Sequence, residues 1–242
     1  MKHIPKINFI YWVLMIIATT TGEIVGNYIS RDLGLGYKIG SILLVTTFVS
    51  AILYSILYSI LTKKFNQLFY WFLIILGNIG GTNIADLICI DLNLGTIYGS
   101  LLVIFAFFMI LLAIKIISKK QSVITDMKIE FLYWFAILTS STFGTTSGDF
   151  LSNDTPLGAD GGTILLIALL IVSILLLRFK QISKDLFYWL AIIIIHPIGA
   201  TFGNYISKPA GLNFGNVYTS IFLIIFFSIV YNINQKTKNE IK

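Results

Sequence analysis

The chain has 242 residues, of which 57% are hydrophobic and only 12% are charged, and its mean hydropathy is +0.88. A chain this apolar lies outside the range of soluble domains, so the composition predicts a membrane protein. The net charge of +6 does not predict a nucleic-acid partner, because 14 of the 17 basic residues lie at the termini or between pairs of apolar stretches. A single cysteine excludes a disulfide within the chain.

The first apolar stretches form a unit of two helices. We predict a first helix over residues 12–30, an outer loop over residues 31–37 and a second helix over residues 39–61. Each helix is close to the roughly 20 residues that cross about 30 Å of hydrocarbon. The same pattern follows three more times, and the longest connector, residues 118–130, is predicted as a polar cytoplasmic loop.

The repeat has a fixed register. In each copy a Tyr-Trp pair is followed by glycine ten residues after the tryptophan, and by asparagine or aspartate five residues later. We place the four units at residues 1–62, 63–120, 121–182 and 183–242, together forming one membrane domain. The predicted fold is all-α: a polytopic membrane protein with eight transmembrane helices from four parallel two-helix repeats, pseudo-symmetric about the membrane normal.

The basic residues predict the orientation of the chain. Only Arg31, Lys38 and Lys208 lie in loops inside units. The positive-inside rule therefore predicts a multi-pass protein of the bacterial inner membrane, with both termini cytoplasmic. The tryptophans of the Tyr-Trp pairs are then expected to anchor the first helices at the cytoplasmic headgroup region: Trp12, Trp71, Trp134 and Trp189.

Small residues four positions apart recur in every first helix, where they share one face and allow close helix packing. The predicted packing pairs are Gly22 with Gly26, Gly81 with Ala85, Gly144 with Gly148, and Gly199 with Gly203. Second helices are almost wholly aliphatic and aromatic, so we expect them to face lipid on most sides. Four first helices around a polar centre, or two pseudo-symmetric halves, both satisfy the pattern.

A polar stripe with a spacing of four residues also runs along each first helix. Such residues are costly in hydrocarbon, so the stripes are expected to face inward. We predict that three acidic members bind a cation or proton, namely Glu23, Asp86 and Asp149, and that six others line its path, namely Asn27, Asn204, Thr19, Asn78, Ser141 and His196. Asp32, Asp91 and Asp154 form a second acidic set that also suits helix ends and turns.

These residues predict an integral membrane transporter or channel-like protein for a small cation, including a divalent metal, or for a proton-coupled small solute. One alternative is a structural or sensory membrane protein whose polar stripe only joins helices. Another is an intramembrane enzyme that modifies lipids through paired carboxylates. No P-loop, zinc-protease or nucleophile-elbow motif predicts enzyme activity. We expect no cofactor, and the pattern leaves the identity of any metal and the oligomeric state open.

Four tandem two-span units, each with a tryptophan and a Gly-then-acid or Gly-then-amide stretch, resemble a bacterial family of uncharacterised membrane-anchored proteins built from repeats of unknown function. Residues 19–23 (Thr-Thr-Thr-Gly-Glu) are the fullest copy of the motif. The resemblance covers nearly the whole chain and implies an eight-span inner-membrane protein, without implying an activity. This chain departs from the motif at the positions equivalent to Glu23, which are Thr82, Thr145 and Ala200.

Overall fold

The computed structural model describes residues 4–119 and 123–240, which form eight α-helices. These are α1 (Phe9–Asn27), α2 (Tyr37–Thr62), α3 (Gln67–Asp86), α4 (Gly95–Ile117), α5 (Val123–Asn153), α6 (Gly158–Arg178), α7 (Lys184–Ser207) and α8 (Asn216–Glu240). The predicted all-α fold with eight helices is confirmed. Lys2, His3, Lys120, Lys242 and the predicted unit boundary between residues 120 and 121 lie outside the described residues.

Two first helices continue through a π-helical turn, Tyr28–Asp32 after α1 and Leu87–Asp91 after α3. Polar side chains cap the start of three helices. The amide oxygens of Asn8 and Asn66 accept from the starts of α1 and α3, and the hydroxyl of Ser183 accepts from the start of α7. The predicted polar loop over residues 118–130 differs from the structure, because α5 already begins at Val123.

Seven of the eight helices are long and apolar enough to cross a membrane, counting the π-helical turns with their helices. Helix α5 is the exception, because seven hydroxyl side chains lie between Thr139 and Ser147 and lower its hydropathy. This helix packs against α3, α4, α6 and α7, so neighbouring helices shield much of it. A helix shielded in this way carries polar residues at lower cost than one that faces lipid.

The four first helices form a closed ring, in which α1 packs on α3, α3 on α5, α5 on α7, and α7 on α1. The four second helices lie outside this ring. Each packs chiefly against the first helix of the following unit: α2 on α3, α4 on α5, α6 on α7, and α8 on α1. The units therefore interlock around the ring, and the outward faces of the second helices expose large apolar side chains such as Leu101, Phe105 and Phe222.

The two ends of the bundle differ. The short loops inside units lie at one end, here called the loop end, and the connectors between units lie at the other, here called the connector end. The loops are tight, and Gly36 at the start of α2 has φ of 70° and ψ of 162°, a conformation that favours glycine. Because each unit consists of two antiparallel helices, all four first helices run in the same direction and present their stripes at matching heights in the bundle.

Candidate functional site

The polar stripes of all four first helices lie inside the ring. Every member is buried except Asp149, whose side chain is 14% exposed. The stripes stack at three depths from the connector end to the loop end. The inner level holds Thr19, Asn78, Ser141 and His196, the middle level holds Glu23, Thr82, Thr145 and Ala200, and the outer level holds Asn27, Asp86, Asp149 and Asn204.

Glycines make this arrangement possible, because each one receives the inner-level residue of the next helix around the ring. A Cβ added at any of these four glycines would lie under 3.0 Å from that residue, a separation that real Cβ atoms do not show. The pairs are Gly22 with Asn78, Gly81 with Ser141, Gly144 with His196, and Gly199 with Thr19.

The second small residues continue these contacts one turn further along. An added Cβ would approach Thr82 at Gly26, Ala200 at Gly148 and Glu23 at Gly203, while Ala85 is buried at the equivalent place. The small-residue pairs thus hold adjacent polar stripes in register.

Glu23 lies at the middle level and is 3% exposed. Its Oε2 accepts a hydrogen bond of 2.7 Å from Thr145 Oγ1 on α5, and its Oε1 accepts one of 3.0 Å from Asn27 Nδ2 on its own helix. Thr82 Oγ1 on α3 lies 3.1 Å from Oε2, and the same hydroxyl is equally close to the backbone oxygen of Asn78. Among the described residues, no lysine or arginine forms a salt bridge with Glu23.

The two aspartates of the outer level both have a basic neighbour. Arg31 Nη2 donates to both carboxylate oxygens of Asp86, at 2.9 and 3.0 Å. Asn204 Nδ2 donates to Asp149 Oδ1 at 2.9 Å, and Lys208 Nζ lies 3.9 Å from the same oxygen. Two of the three basic residues from the loops inside units therefore face the axis, a role that the sequence pattern did not predict.

A cavity of about 210 Å³ opens at the loop end over these aspartates. Its lining includes Asp86 and Asp149, their basic partners, and Cys89. Asp154, from the second acidic set, also lines it and accepts a hydrogen bond from Thr96. The other two members lie elsewhere at the surface: Asp32 accepts from Asn216, and Asp91 is exposed. The outer level is thus reached from the loop end.

The inner level is bonded mainly to helix backbones. Thr19 donates to Ile16 O and Asn78 to Ile74 O, and Ser141 Oγ lies 3.3 Å from Asn78 O on the neighbouring helix. His196 Nδ1 lies 2.7 Å from the backbone oxygen of Ile192, which only accepts, so this nitrogen carries the hydrogen.

Three buried acceptors in the stripes lack a hydrogen-bond donor: Asn27 Oδ1, Asn204 Oδ1 and His196 Nε2. Buried polar atoms are nearly always paired, so unpaired acceptors mark places where a donor or a cation is favoured. The interior of the ring is therefore rich in electron-pair donors.

A ring of four tyrosines closes the connector end, and the sequence pattern did not predict it. The hydroxyls of Tyr11, Tyr70, Tyr133 and Tyr188 are joined in a cycle with O–O distances of 2.8, 2.8, 2.7 and 3.2 Å. Their recurrence in the Tyr-Trp pairs was the available signal. An apolar layer lies between this tyrosine ring and the inner level. Its side chains are completely buried and include those of Leu14, Met15, Leu73, Ile74, Ile137 and Ile192.

The four tryptophans surround the tyrosine ring. Each indole packs on the tyrosine of the neighbouring helix, with ring centroids 5.3 Å apart for Trp71 on Tyr11 and 5.4 Å for Trp134 on Tyr70. Trp189 on Tyr133 and Trp12 on Tyr188 are both at 5.9 Å. Trp71 and Trp134 are only 3% exposed, a burial that headgroup anchoring does not require, whereas Trp12 and Trp189 remain partly exposed.

The acidic side chains of the stripes are not grouped as metal ligands. Across residues 4–119 and 123–240, no group of three or more histidine, cysteine, aspartate or glutamate side chains is arranged to hold a metal ion. Glu23, Asp86 and Asp149 therefore do not form one site of three carboxylates. The carboxylate of Asp86 instead accepts hydrogen bonds from Arg31, and that of Asp149 accepts one from Asn204.

Two segments of the chain match a known family. Residues 10–60 and 132–183 match the family described as Repeat of Unknown Function (DUF347). The first segment spans most of α1 and α2, and the second spans most of α5 and α6, so each match covers one two-helix unit. Their starts are 122 residues apart (132 − 10), which equals the separation of Trp12 and Trp134. No curated protein and no solved structure matches this chain.

Proposed function

We propose that this chain is a membrane transport protein that moves a small cation, or a solute coupled to protons, with Glu23 as the carboxylate that binds the ion. The observation that supports this function is the position of Glu23: at the centre of the ring, buried, and without a basic partner among the described residues. An ionisable residue at membrane depth that faces a bundle interior is typical of ion and proton pathways.

The balance of charge around the axis supports the same residue. Asp86 faces Arg31 and Asp149 faces Lys208, whereas Glu23 is met only by amide and hydroxyl donors. These axial groups carry three negative and two positive charges, so a carboxylate at Glu23 leaves one negative charge uncompensated. Binding a cation or proton there removes that charge from a poorly hydrated interior.

The two sides of Glu23 differ. On the loop-end side a cavity opens over Asp86 and Asp149 without reaching Glu23 itself, and on the other side the apolar layer and the tyrosine ring shut the connector end. A transporter in one of its two access states has this form. With basic residues concentrated at the connector end and both termini, we propose that the loop end faces outward and the termini are cytoplasmic in a bacterial inner membrane.

We expect Glu23→Gln to abolish transport, because the amide keeps the size of the side chain but cannot carry the negative charge. Whole-cell elemental content would be compared between cells with empty vector, wild-type protein and the variant, and pH-sensitive dye in reconstituted vesicles would detect proton movement. Asp32→Asn is a matched control, since Asp32 is an exposed acid bonded to Asn216. Transport that is unchanged by Glu23→Gln, with equal protein in the membrane, would sink the proposal.

A structural role is the second candidate, and specific contacts favour it. Glu23 joins α1 to α5 through Thr145 and lies within reach of Thr82 on α3, as a residue that only holds helices together would. This role predicts that Glu23→Gln lowers thermal stability and alters no solute or ion flux. The intramembrane lipid-modifying enzyme stays a prediction.

A further inference from the structure

Two amide–carboxylate pairs occur side by side in the interior. Asn27 donates from Nδ2 to Glu23, and Asn204 donates from Nδ2 to Asp149. Because a carboxylate oxygen accepts hydrogen bonds, each amide must point its nitrogen toward its acid. Its carbonyl oxygen then points elsewhere, and both Asn27 Oδ1 and Asn204 Oδ1 are buried without a donor. The two asparagines are 2% and 3% exposed.

The two asparagines lie at the same level of the ring on adjacent helices. Asn27 and Asn204 occupy the same repeat position on α1 and α7, which pack directly against each other. Gly203, the residue before Asn204, lies against Glu23: a Cβ added there would be 3.3 Å from Glu23 Cγ. Glu23 thus contacts α7 one residue before Asn204, and the two buried asparagines whose Oδ1 lacks a donor lie on these same two helices, at the level next to Glu23.

The chemistry of this set selects the ligand. Carboxylate and amide oxygens are hard ligands, which favour hard cations over the softer metals bound by cysteine and histidine. Within the buried stripes, Asp86 and Asp149 each face a basic residue and Glu23 does not, so one negative charge is left without a basic partner. Asp154 is exposed at the cavity mouth, where it accepts from Thr96. A divalent ion would replace an excess of one negative charge with an excess of one positive charge.

We propose that Glu23, Asn27 and Asn204 form a binding site for one alkali-metal cation. The site gives the transport protein its coupling or transported ion, and in that respect rests on the proposed function. Its existence as a binding site does not depend on transport, so the two are tested separately.

The test is the thermal stability of the purified full-length protein in detergent, with LiCl, NaCl, KCl or choline chloride at constant ionic strength. We expect saturable stabilisation by at least one alkali cation over choline. At a hundredfold excess of cation over Kd, the expected rise in Tm is roughly 5–10 °C. MgCl₂ and CaCl₂ are expected to give no comparable saturable rise.

Variants locate the effect. Glu23→Gln and Asn204→Ala are expected to remove or weaken the dependence on alkali cation by at least tenfold in Kd. Asn83→Ala is the matched control, because Asn83 is also a buried asparagine with an unpaired Oδ1, but its Oδ1 lies beside Gly40 on α2, away from the axis. We expect this control to change stability and leave the cation dependence intact.

Equilibrium binding of ²²Na⁺ to the wild-type protein, with unlabelled lithium, potassium and choline as competitors, tests the site without any variant. Saturable binding displaced by alkali cations supports the site. Three results would overturn it: no alkali dependence in either measurement, stabilisation that is equal in Glu23→Gln, or preferential stabilisation by a divalent cation. A site that binds sodium in a protein without flux would overturn the transport function alone, and proton flux without alkali binding would overturn the site alone.

Discussion

At the scale of single residues, the four units differ in charge at the middle level of their polar stripes. The middle level carries Glu23 in the first unit, threonine in the second and third, and Ala200 in the fourth. One carboxylate therefore receives hydroxyls from α3, its neighbour, and from α5, the helix opposite in the ring, instead of facing three other acids. A four-fold ring of glutamates would repel itself in a poorly hydrated interior. Divergence of the repeat leaves a single carboxylate at the middle level.

Single atoms also decide how closely the helices approach. We expect Gly22→Ala to lower the free energy of unfolding by about 1–3 kcal/mol, because the added Cβ would lie under 3.0 Å from Asn78. Thermal unfolding in detergent would measure the loss.

Gly80→Ala is the matched control on the neighbouring helix. Its Cβ would lie 3.6 Å from Leu138 Cδ1, an ordinary contact, so we expect stability to be unchanged or raised by up to about 1 kcal/mol. Equal losses from the two substitutions would show that the close approach at Gly22 is not what limits side-chain size.

At the scale of helices, the tyrosine ring and the packing of second helices bind different units together. Each hydroxyl–hydroxyl contact joins two first helices, while each second helix packs on the first helix of the following unit. No unit buries its small-residue strip by itself. The ring is closed only when α7 meets α1, so all four units are needed to enclose the polar interior.

We expect Tyr70→Phe to lower the free energy of unfolding by about 1–2 kcal/mol, because it removes two interhelical hydrogen bonds. Tyr98→Phe is the control, since Tyr98 is 71% exposed on α4. Comparing Tyr70→Phe, Tyr188→Phe and the double variant then tests whether the ring acts as a unit, in which case the two losses are not additive. A loss from Tyr70→Phe no larger than that of the control would contradict a stabilising ring.

At the scale of the whole molecule, the two ends are chemically opposite. The loop end has a charged cavity, and the connector end has a continuous apolar layer beneath closed tyrosine hydroxyls. Transport requires a second conformation in which this closure opens and the loop end shuts. At the glycine-lined interfaces between first helices each glycine receives a side chain of the next helix, so we expect such a change to break and remake these contacts.

The single Cys89 reports the orientation of the molecule. It lines the cavity at the loop end, so we expect a membrane-impermeant maleimide to label it in spheroplasts and not in inside-out vesicles. Cys89→Ser gives the background. Labelling confined to inside-out vesicles would reverse the proposed topology, and labelling from neither side would contradict an open cavity at this residue.

The sequence by itself determined the eight helices, the four-fold repeat and the inward face of each polar stripe. Apolar length specifies a span, a spacing of four specifies a helix face, and a fixed distance from each tryptophan specifies depth. The burial of Glu23, Asn27 and Asn204 inside the bundle could be predicted on these grounds, because it depends only on position along one helix.

Only the tertiary structure decided which side chains meet. Arg31 with Asp86, Thr145 with Glu23, and the tyrosine ring all join residues at least 55 positions apart in the chain. The periodicity of a helix gives the direction and height of a side chain, but not which helix stands beside it. Which helices become neighbours depends on closure of the ring. The small residues let α7 pack closely on α1, and each second helix packs on the first helix of the following unit.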